Sequence, residues 1–115
     1  MTKVMIVGQK WLAEQLLMRC MTMSNVEVVL VAAPRPDDRT AVLAKLRGIT
    51  TITYGKTLTA GMIPDDIDVI LTAHAYCFVD ADARAKAKYG AVGYHPSLLP
   101  AYKGKTAIED AFAAG

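Results

Sequence analysis

The hydrophobic residues of this chain form short runs, and between the runs they recur at the spacing of a helix. Residues 4–7 are all apolar and lie within a strand predicted over residues 3–7, which ends at Gly8. Such a run is typical of a strand buried on both faces. The residues at positions 11, 12, 15, 16 and 19 then follow at helical spacing, which predicts a helix over residues 10–21 with an apolar stripe.

The alternation of strand and helix continues along the chain. Further strands are predicted over residues 26–33, 49–54, 67–72 and 91–95. Helices are predicted from a cap at Asp37 or Asp38 to Arg47, over residues 81–88 behind Asp80, and over residues 105–114. This order favours right-handed crossovers and a mostly parallel sheet with helices on both faces, that is, half of a doubly wound α/β fold.

Three segments with candidate chemistry lie at the carboxyl ends of predicted strands. They are Gly8, residues 72–77 and His95. Ligands of open α/β sheets bind outside the carboxyl ends of the strands. We therefore expect these segments to meet at one edge of the sheet.

Composition limits the broad class of the protein. The 115 residues are 53% hydrophobic and 21% charged, which is typical of one globular domain. The net charge is only +2, and the basic residues form no cluster of the kind that binds nucleic acid. Cys20 and Cys77 lie in apolar surroundings, which favours buried free thiols. No segment has the length of a membrane span and the start lacks a signal-peptide pattern, so we predict a cytoplasmic protein without membrane partners.

His95 is the strongest candidate for a catalytic group. It ends the last predicted strand and opens the sequence His-Pro-Ser-Leu-Leu-Pro, in which Pro96 and Pro100 restrict the path of the loop. An imidazole at a rigid junction between strand and loop is well placed for proton transfer. A histidine that merely ends a strand and bonds to a backbone group fits the same residues.

The motif resembles the signature of the folate-dependent formyltransferase family. This family includes methionyl-tRNA, glycinamide ribonucleotide and sugar N-formyltransferases. The resembling residues are HPSLLP from His95, then Tyr102-Lys103-Gly104 and Ala107-Ile108, with further similarity at residues 4–9, at residues 68–71 and from Ala107 to Gly115. The similarity covers essentially the whole chain and is least distinctive over residues 49–64. It implies a Rossmann-like domain that takes 10-formyltetrahydrofolate as its formyl donor.

The resemblance also implies roles for particular residues. His95 would lie beside the formyl group and donate a hydrogen bond or a proton as the tetrahedral intermediate forms and collapses. The loop before it would receive the pterin ring, largely through backbone groups. The residues predicted to bind the cofactor on this ground are Leu71, Ala73, His74, Ala75, Tyr76, Cys77 and Phe78. For His74, a partly exposed loop histidine without a catalytic role is the simpler interpretation.

The chain departs from the family pattern at two points. Transferases of the family carry an asparagine two positions before the histidine, where this chain has Gly93. The sequence Gly93-Tyr94-His95 instead looks like the hydrolase domain of 10-formyltetrahydrofolate dehydrogenase. The family's catalytic aspartate, a few tens of residues after the histidine, has no counterpart before Gly115. We therefore expect residues 1–115 to be a formyltransferase-like domain that is incomplete at its carboxyl-terminal end.

Three functions follow as expectations. The first is formyl transfer to an unidentified amine acceptor, as part of a longer protein. The second is hydrolysis, with water as the acceptor, and the third is an inactive module that binds folate or another protein.

Other motifs in the sequence give no clear functional signal. Gly8-Gln9-Lys10 lacks the later glycines of a dinucleotide fingerprint, and the histidines and cysteines show no metal-ligand spacing. The turn with Asp65, Asp66 and Asp68 is interpreted as a solvated loop.

Overall fold

Strands and helices alternate in the structure as the hydrophobic pattern predicts. The computed structural model describes residues 1–94 of the chain. His95, the end of the strand predicted there and the helix predicted over residues 105–114 lie outside the described residues. The elements in chain order are β1 (Thr2–Gly8), α1 (Lys10–Met21), β2 (Val26–Ala33), α2 (Arg39–Leu46), β3 (Thr50–Thr53), β4 (Thr57–Leu58), a 3-10 helix (Ala60–Met62), β5 (Val69–Ala73), β6 (Phe78–Val79), α3 (Ala81–Lys86) and β7 (Ala91–Gly93).

Five of the strands form one parallel sheet with β1 at its centre. Their order is β3-β2-β1-β5-β7, and every neighbouring pair is parallel. The chain first moves outwards from β1 to β3 and then returns to the other side of β1, which is the order of a Rossmann-like α/β fold. The predicted fold class is confirmed.

The sheet is covered on both faces, because residues of β1 alternate between two hydrophobic clusters. Val4 and Ile6 pack with the buried side of α1 and with Ala44 of α2. Met5 and Val7 pack with α3 and with the segment that precedes β5. All four side chains are fully buried. An uninterrupted apolar run is what a strand in this position needs, since both of its faces meet protein.

Helix starts were predicted more accurately than helix ends. The Asp38 carboxylate accepts the Thr40 N–H and the Asp80 carboxylate accepts the Ala83 N–H, so both aspartates are the N-caps of their helices. The helix behind Asp80 ends at Lys86, not at residue 88 as predicted. The reason is tertiary: the Lys88 N–H donates to the Ile67 carbonyl oxygen and the Tyr89 N–H to that of Asp68. These bonds draw the chain away from the helix axis.

Three small elements were not predicted. Strands β4 and β6, of two residues each, pair in parallel as a separate ribbon, and the 3-10 helix lies between β4 and β5. Elements of two or three residues carry no detectable periodicity. The ribbon positions the chain that leaves β5, since the Phe78 N–H donates to the Lys56 carbonyl oxygen.

Several polar and sulfur-bearing groups have structural roles. Asp68, predicted to be solvated, accepts the Lys3 N–H at 2.7 Å and is half-buried. Both cysteines are free; Cys20 is buried and Cys77 is half-buried. Burial raises the pKa of the Cys20 thiol to about 12.

None of the helices in residues 1–94 is both long and apolar enough to cross a membrane.

Candidate functional site

A cleft opens at the point where the strand order reverses. It lies outside the carboxyl ends of β1 and β5 and has a volume of about 680 Å³. Ligands of open α/β sheets bind at this topological switch point, and clefts of about 300–1,000 Å³ are typical of small-molecule sites. The cleft is lined by two segments, the start of α1 with Lys10, Trp11 and Leu12, and the end of β5 with Thr72, His74, Ala75 and Tyr76.

Gly8 sets the distance between the two strands that end at the cleft. It pairs with Ala73 in the ladder between β1 and β5, and the next residue, Gln9, donates its N–H to the Ala73 carbonyl oxygen at 3.2 Å. A Cβ atom at position 8 would overlap that carbonyl oxygen and touch the Ala13 side chain. The close approach of the strands therefore requires glycine at this position.

Both walls of the cleft contain a residue in the left-handed backbone region. Lys10 has φ of 62° and His74 has φ of 53°. This region is uncommon for residues other than glycine, and such residues concentrate at functional sites when the surrounding structure holds them there. The backbone turns sharply at each of these residues, directly after the carboxyl end of a strand, so the side chains that follow line the cleft.

Aromatic rings border the cleft. Tyr76 is 77% exposed and Trp11 is 53% exposed, and both line it. A 2.9 Å hydrogen bond joins the Tyr76 hydroxyl to His74 Nε2, and the two rings meet edge to face. His74 is thus paired with its neighbour and half-buried. Exposed rings beside an open cleft provide a surface on which a planar heterocycle can stack.

The predicted cofactor-binding residues divide into three groups in the structure. His74, Ala75 and Tyr76 line the cleft. The side chains of Leu71 and Ala73 are buried in the core with α1, so they shape the site only through the backbone. Cys77 packs against the core on the other face, and Phe78 lies in β6 with 61% of its surface exposed.

Sequence reasoning did not assign the start of α1 to the site. Lys10, Trp11 and Leu12 line the cleft. Trp11 and Leu12 were interpreted only as helix residues, and Lys10 was considered only as part of a dinucleotide fingerprint that the chain lacks. A signal was available in their position, because the helix after the first strand of an α/β sheet begins at the switch point. Trp11, which the sequence analysis placed on the apolar stripe of the helix, is 53% exposed instead and borders the cleft.

The last described residues lead towards the same edge of the sheet. Gly93 pairs with Thr72 in the ladder between β5 and β7, and the Tyr94 N–H donates to the Thr72 carbonyl oxygen at 2.7 Å. Tyr94 is buried against α1, and this burial raises the pKa of its hydroxyl. His95, the predicted catalytic residue, follows Tyr94 in sequence and lies outside the described residues.

Comparison with known proteins assigns the chain to no family. No family model matches it, and no curated protein matches it either. The formyltransferase resemblance therefore stays a prediction. Within residues 1–94, no group of three or more histidine, cysteine, aspartate or glutamate side chains could hold a metal ion.

Tyr54 has a buried hydroxyl beside the carboxyl edge of the sheet. Its side chain belongs to the cluster that Cys77 packs against, and the hydroxyl has no hydrogen-bond partner among the described residues. Burial raises its pKa, and the nearby Cys77 and Asp38 raise it further. An unpartnered buried hydroxyl costs folding free energy, because it gives up its bonds to water.

Replacing Tyr54 by phenylalanine is expected to leave the protein as stable or to stabilise it by about 1 kcal/mol, since the ring stays and the unpartnered hydroxyl goes. Urea denaturation checks this. Thr40→Val is the contrasting variant, because the buried Thr40 hydroxyl donates to the Lys10 carbonyl oxygen, and we expect a loss of about 1 kcal/mol. A loss of more than about 1 kcal/mol in Tyr54→Phe would show that this hydroxyl has a partner.

Proposed function

We propose that this chain provides the folate-binding part of an enzyme that moves the formyl group of 10-formyltetrahydrofolate to an amine. The observation that carries the proposal is the lining of the switch-point cleft. Residues 74–76, which the resemblance assigns to the pterin ring, form one wall of that cleft. The exposed Tyr76 and Trp11 rings give a planar heterocycle apolar surface to stack on, and the size of the cleft fits a small molecule.

The proposed chemistry divides between binding and proton transfer. The loop after β5 would hold the pterin. His95, the next residue after Tyr94, would lie beside the formyl group and donate a hydrogen bond or a proton as the tetrahedral intermediate forms and collapses. The Thr72–Gly93 pairing supports this arrangement, because it brings β7 alongside the end of β5. The cytoplasmic location predicted from the sequence stays a prediction.

Hydrolysis is the alternative, and Gly93 favours it. Family transferases have an asparagine amide two positions before the histidine, whereas Gly93 has no side chain that could donate to the formyl oxygen. Loss of one donor to a developing oxyanion costs about 2.7–4 kcal/mol of transition-state stabilisation. Transfer and hydrolysis pass through the same oxyanion, so an enzyme of either kind built on this chain would need another donor, or it would be slow. Hydrolysis is favoured by the resemblance of Gly93-Tyr94-His95 to the hydrolase domain. Binding of folate without turnover would support the third possibility, an inactive folate-binding module.

The binding step is tested by adding 5-formyltetrahydrofolate, a stable reduced folate, to the ¹⁵N-labelled chain. We expect the largest amide shifts at Lys10, Trp11, Thr72, Ala75 and Tyr76, because these residues line the cleft. Shifts centred on residues 34–39, or none at all, would contradict the proposed site.

Replacing Tyr76 by alanine is expected to weaken folate binding about twofold to 13-fold, since a stacking ring contributes about 0.5–1.5 kcal/mol beyond its buried area. Leu46→Ala is the matched control. Leu46 on α2 is 78% exposed, close to the 77% of Tyr76, but it does not line the cleft. Isothermal titration calorimetry compares the three proteins. Equal folate affinities in all three proteins would show that Tyr76 does not contribute to the binding site.

A further inference from the structure

Thr72 brings an uncommitted hydroxyl to the carboxyl end of β5. The residue is half-buried and lines the switch-point cleft. Its hydroxyl forms no hydrogen bond within the part of the chain that the structure describes and, unlike that of Tyr54, it is not buried. The Thr72 hydroxyl is therefore free to donate to a ligand in the cleft.

The pairing of β5 with β7 fixes where this hydroxyl lies. Thr72 pairs with Gly93, and its carbonyl oxygen accepts the Tyr94 N–H at 2.7 Å. Neighbouring strands lie about 4.8 Å apart, and paired residues share a face of the sheet. Because Gly93 has no side chain, β7 does not fill the space beside the Thr72 side chain on that face.

The other side-chain donors of the cleft lining are engaged or lie on the opposite wall. The Tyr76 hydroxyl and His74 Nε2 share a hydrogen bond of 2.9 Å. The side chains of Lys10 and Trp11 belong to α1, across the cleft from β5. Among the described residues that line the cleft, Thr72 thus combines a free donor with a position on the strand that pairs with β7.

Formyl transfer and hydrolysis both develop negative charge on the formyl oxygen. The attacking amine nitrogen or water oxygen forms a bond to the formyl carbon, and the carbonyl electron pair moves onto the oxygen. When this intermediate collapses, the carbonyl bond forms again and the bond from the formyl carbon to tetrahydrofolate breaks. The released folate nitrogen takes up the proton that the attacking group gives up. A fixed hydrogen-bond donor at the oxygen lowers the barrier of both steps.

We propose that the Thr72 hydroxyl donates a hydrogen bond to this developing oxyanion and is a catalytic residue of the enzyme. The inference rests on the proposed function, and it supplies the donor that Gly93 lacks. The ladder between β5 and β7 holds Thr72 in place, so the donor needs little reorganisation during the reaction. Its role is the same whether the acceptor is an amine or water.

The test compares Thr72→Val with Thr72→Ser in the proposed enzyme, by measuring release of tetrahydrofolate from 10-formyltetrahydrofolate. Valine keeps the shape of the side chain and removes the hydroxyl, so we expect kcat to fall about 100-fold to 1,000-fold. The KM should stay within about threefold, since the donor acts in the transition state. Serine keeps the hydroxyl and should keep kcat within about tenfold of the unaltered enzyme.

Two further variants separate a chemical role of the hydroxyl from a structural one. Thr53→Val makes the same change at the end of β3, where the residue is exposed and does not line the cleft, so kcat should not change. Adding Gly93→Asn to Thr72→Val should restore part of the lost kcat, because the two positions are paired and an amide can donate in place of the hydroxyl.

The possible results are distinguishable. A kcat of Thr72→Val within about threefold of the unaltered value would overturn the proposal, and so would equal losses in the valine and serine variants. Absence of tetrahydrofolate release by the unaltered enzyme, with water and with the amines tested, would contradict the proposed function and this assignment with it. If Thr72→Val does not fold, as judged by circular dichroism, Thr72→Ala takes its place in the comparison with serine.

Discussion

Replacing Gly8 by alanine is expected to lower the free energy of unfolding by about 3 kcal/mol or more. Overpacking of a core commonly costs about 1–3 kcal/mol, and this position has less freedom than most. The added Cβ would overlap the Ala73 carbonyl oxygen, which is backbone of the neighbouring strand and cannot rotate away. Relief requires β1 and β5, the two strands beside the cleft, to separate. Urea denaturation monitored by circular dichroism measures the change.

Gly55→Ala is the control for this prediction. A Cβ atom at position 55 would meet no heavy atom within 4 Å, so we expect a change of no more than about 0.5 kcal/mol. Comparing the two variants separates the destabilisation caused by the close approach at Gly8 from the general effect on stability of changing glycine to alanine. Similar losses in the two variants would mean that Gly8 is not required by the approach of the strands.

The central part of the fold is predictable because the sequence pattern of each strand and helix agrees with the surroundings of that element in the folded protein. Residues 4–7 are apolar without interruption, and β1 is covered on both faces. The helix over residues 10–21 has the predicted bounds, but its buried stripe is residues 12, 13, 16, 17 and 20. Only Leu12 and Leu16 of the predicted stripe are buried, and Trp11 is exposed. Asp38 and Asp80 precede helices as caps, and a cap depends on residues only two or three positions away.

The parts that were missed depend on contacts between distant residues. The contact between Lys10 and Asp38 joins the starts of two helices, and no local pattern encodes it. Strands β4 and β6 form only because each has the other as its partner, 21 residues apart in the register Thr57–Phe78. The left-handed backbone of His74 likewise follows from how β5 ends, because histidine adopts positive φ more often than most residues but still uncommonly.

The candidate site was likewise predictable in its location but not in its detail. The cleft opens at the carboxyl edge of the sheet, where the sequence analysis expected a ligand to bind. This location was predictable because it depends only on the order of strands and helices. Which side chains of the loop reach the cleft was not predictable. Leu71 and Ala73 point into the core and His74 and Tyr76 line the cleft, a choice fixed by the pleat of β5 and the turn after it.

In the enzyme proposed above, replacing His95 by alanine is expected to lower kcat at least ~100-fold, the low end for a positioned acid–base group. Release of tetrahydrofolate from 10-formyltetrahydrofolate is measured with water alone and with a panel of primary amines, which also separates hydrolysis from transfer.

The comparison variant is His74→Ala. His74 lines the cleft and bonds to Tyr76, so its loss is expected to raise KM and leave kcat near its original value. A fall in kcat with His74→Ala and none with His95→Ala would move the chemistry to His74. An unchanged kcat in both variants would show that neither histidine transfers the proton, which contradicts the proposed mechanism.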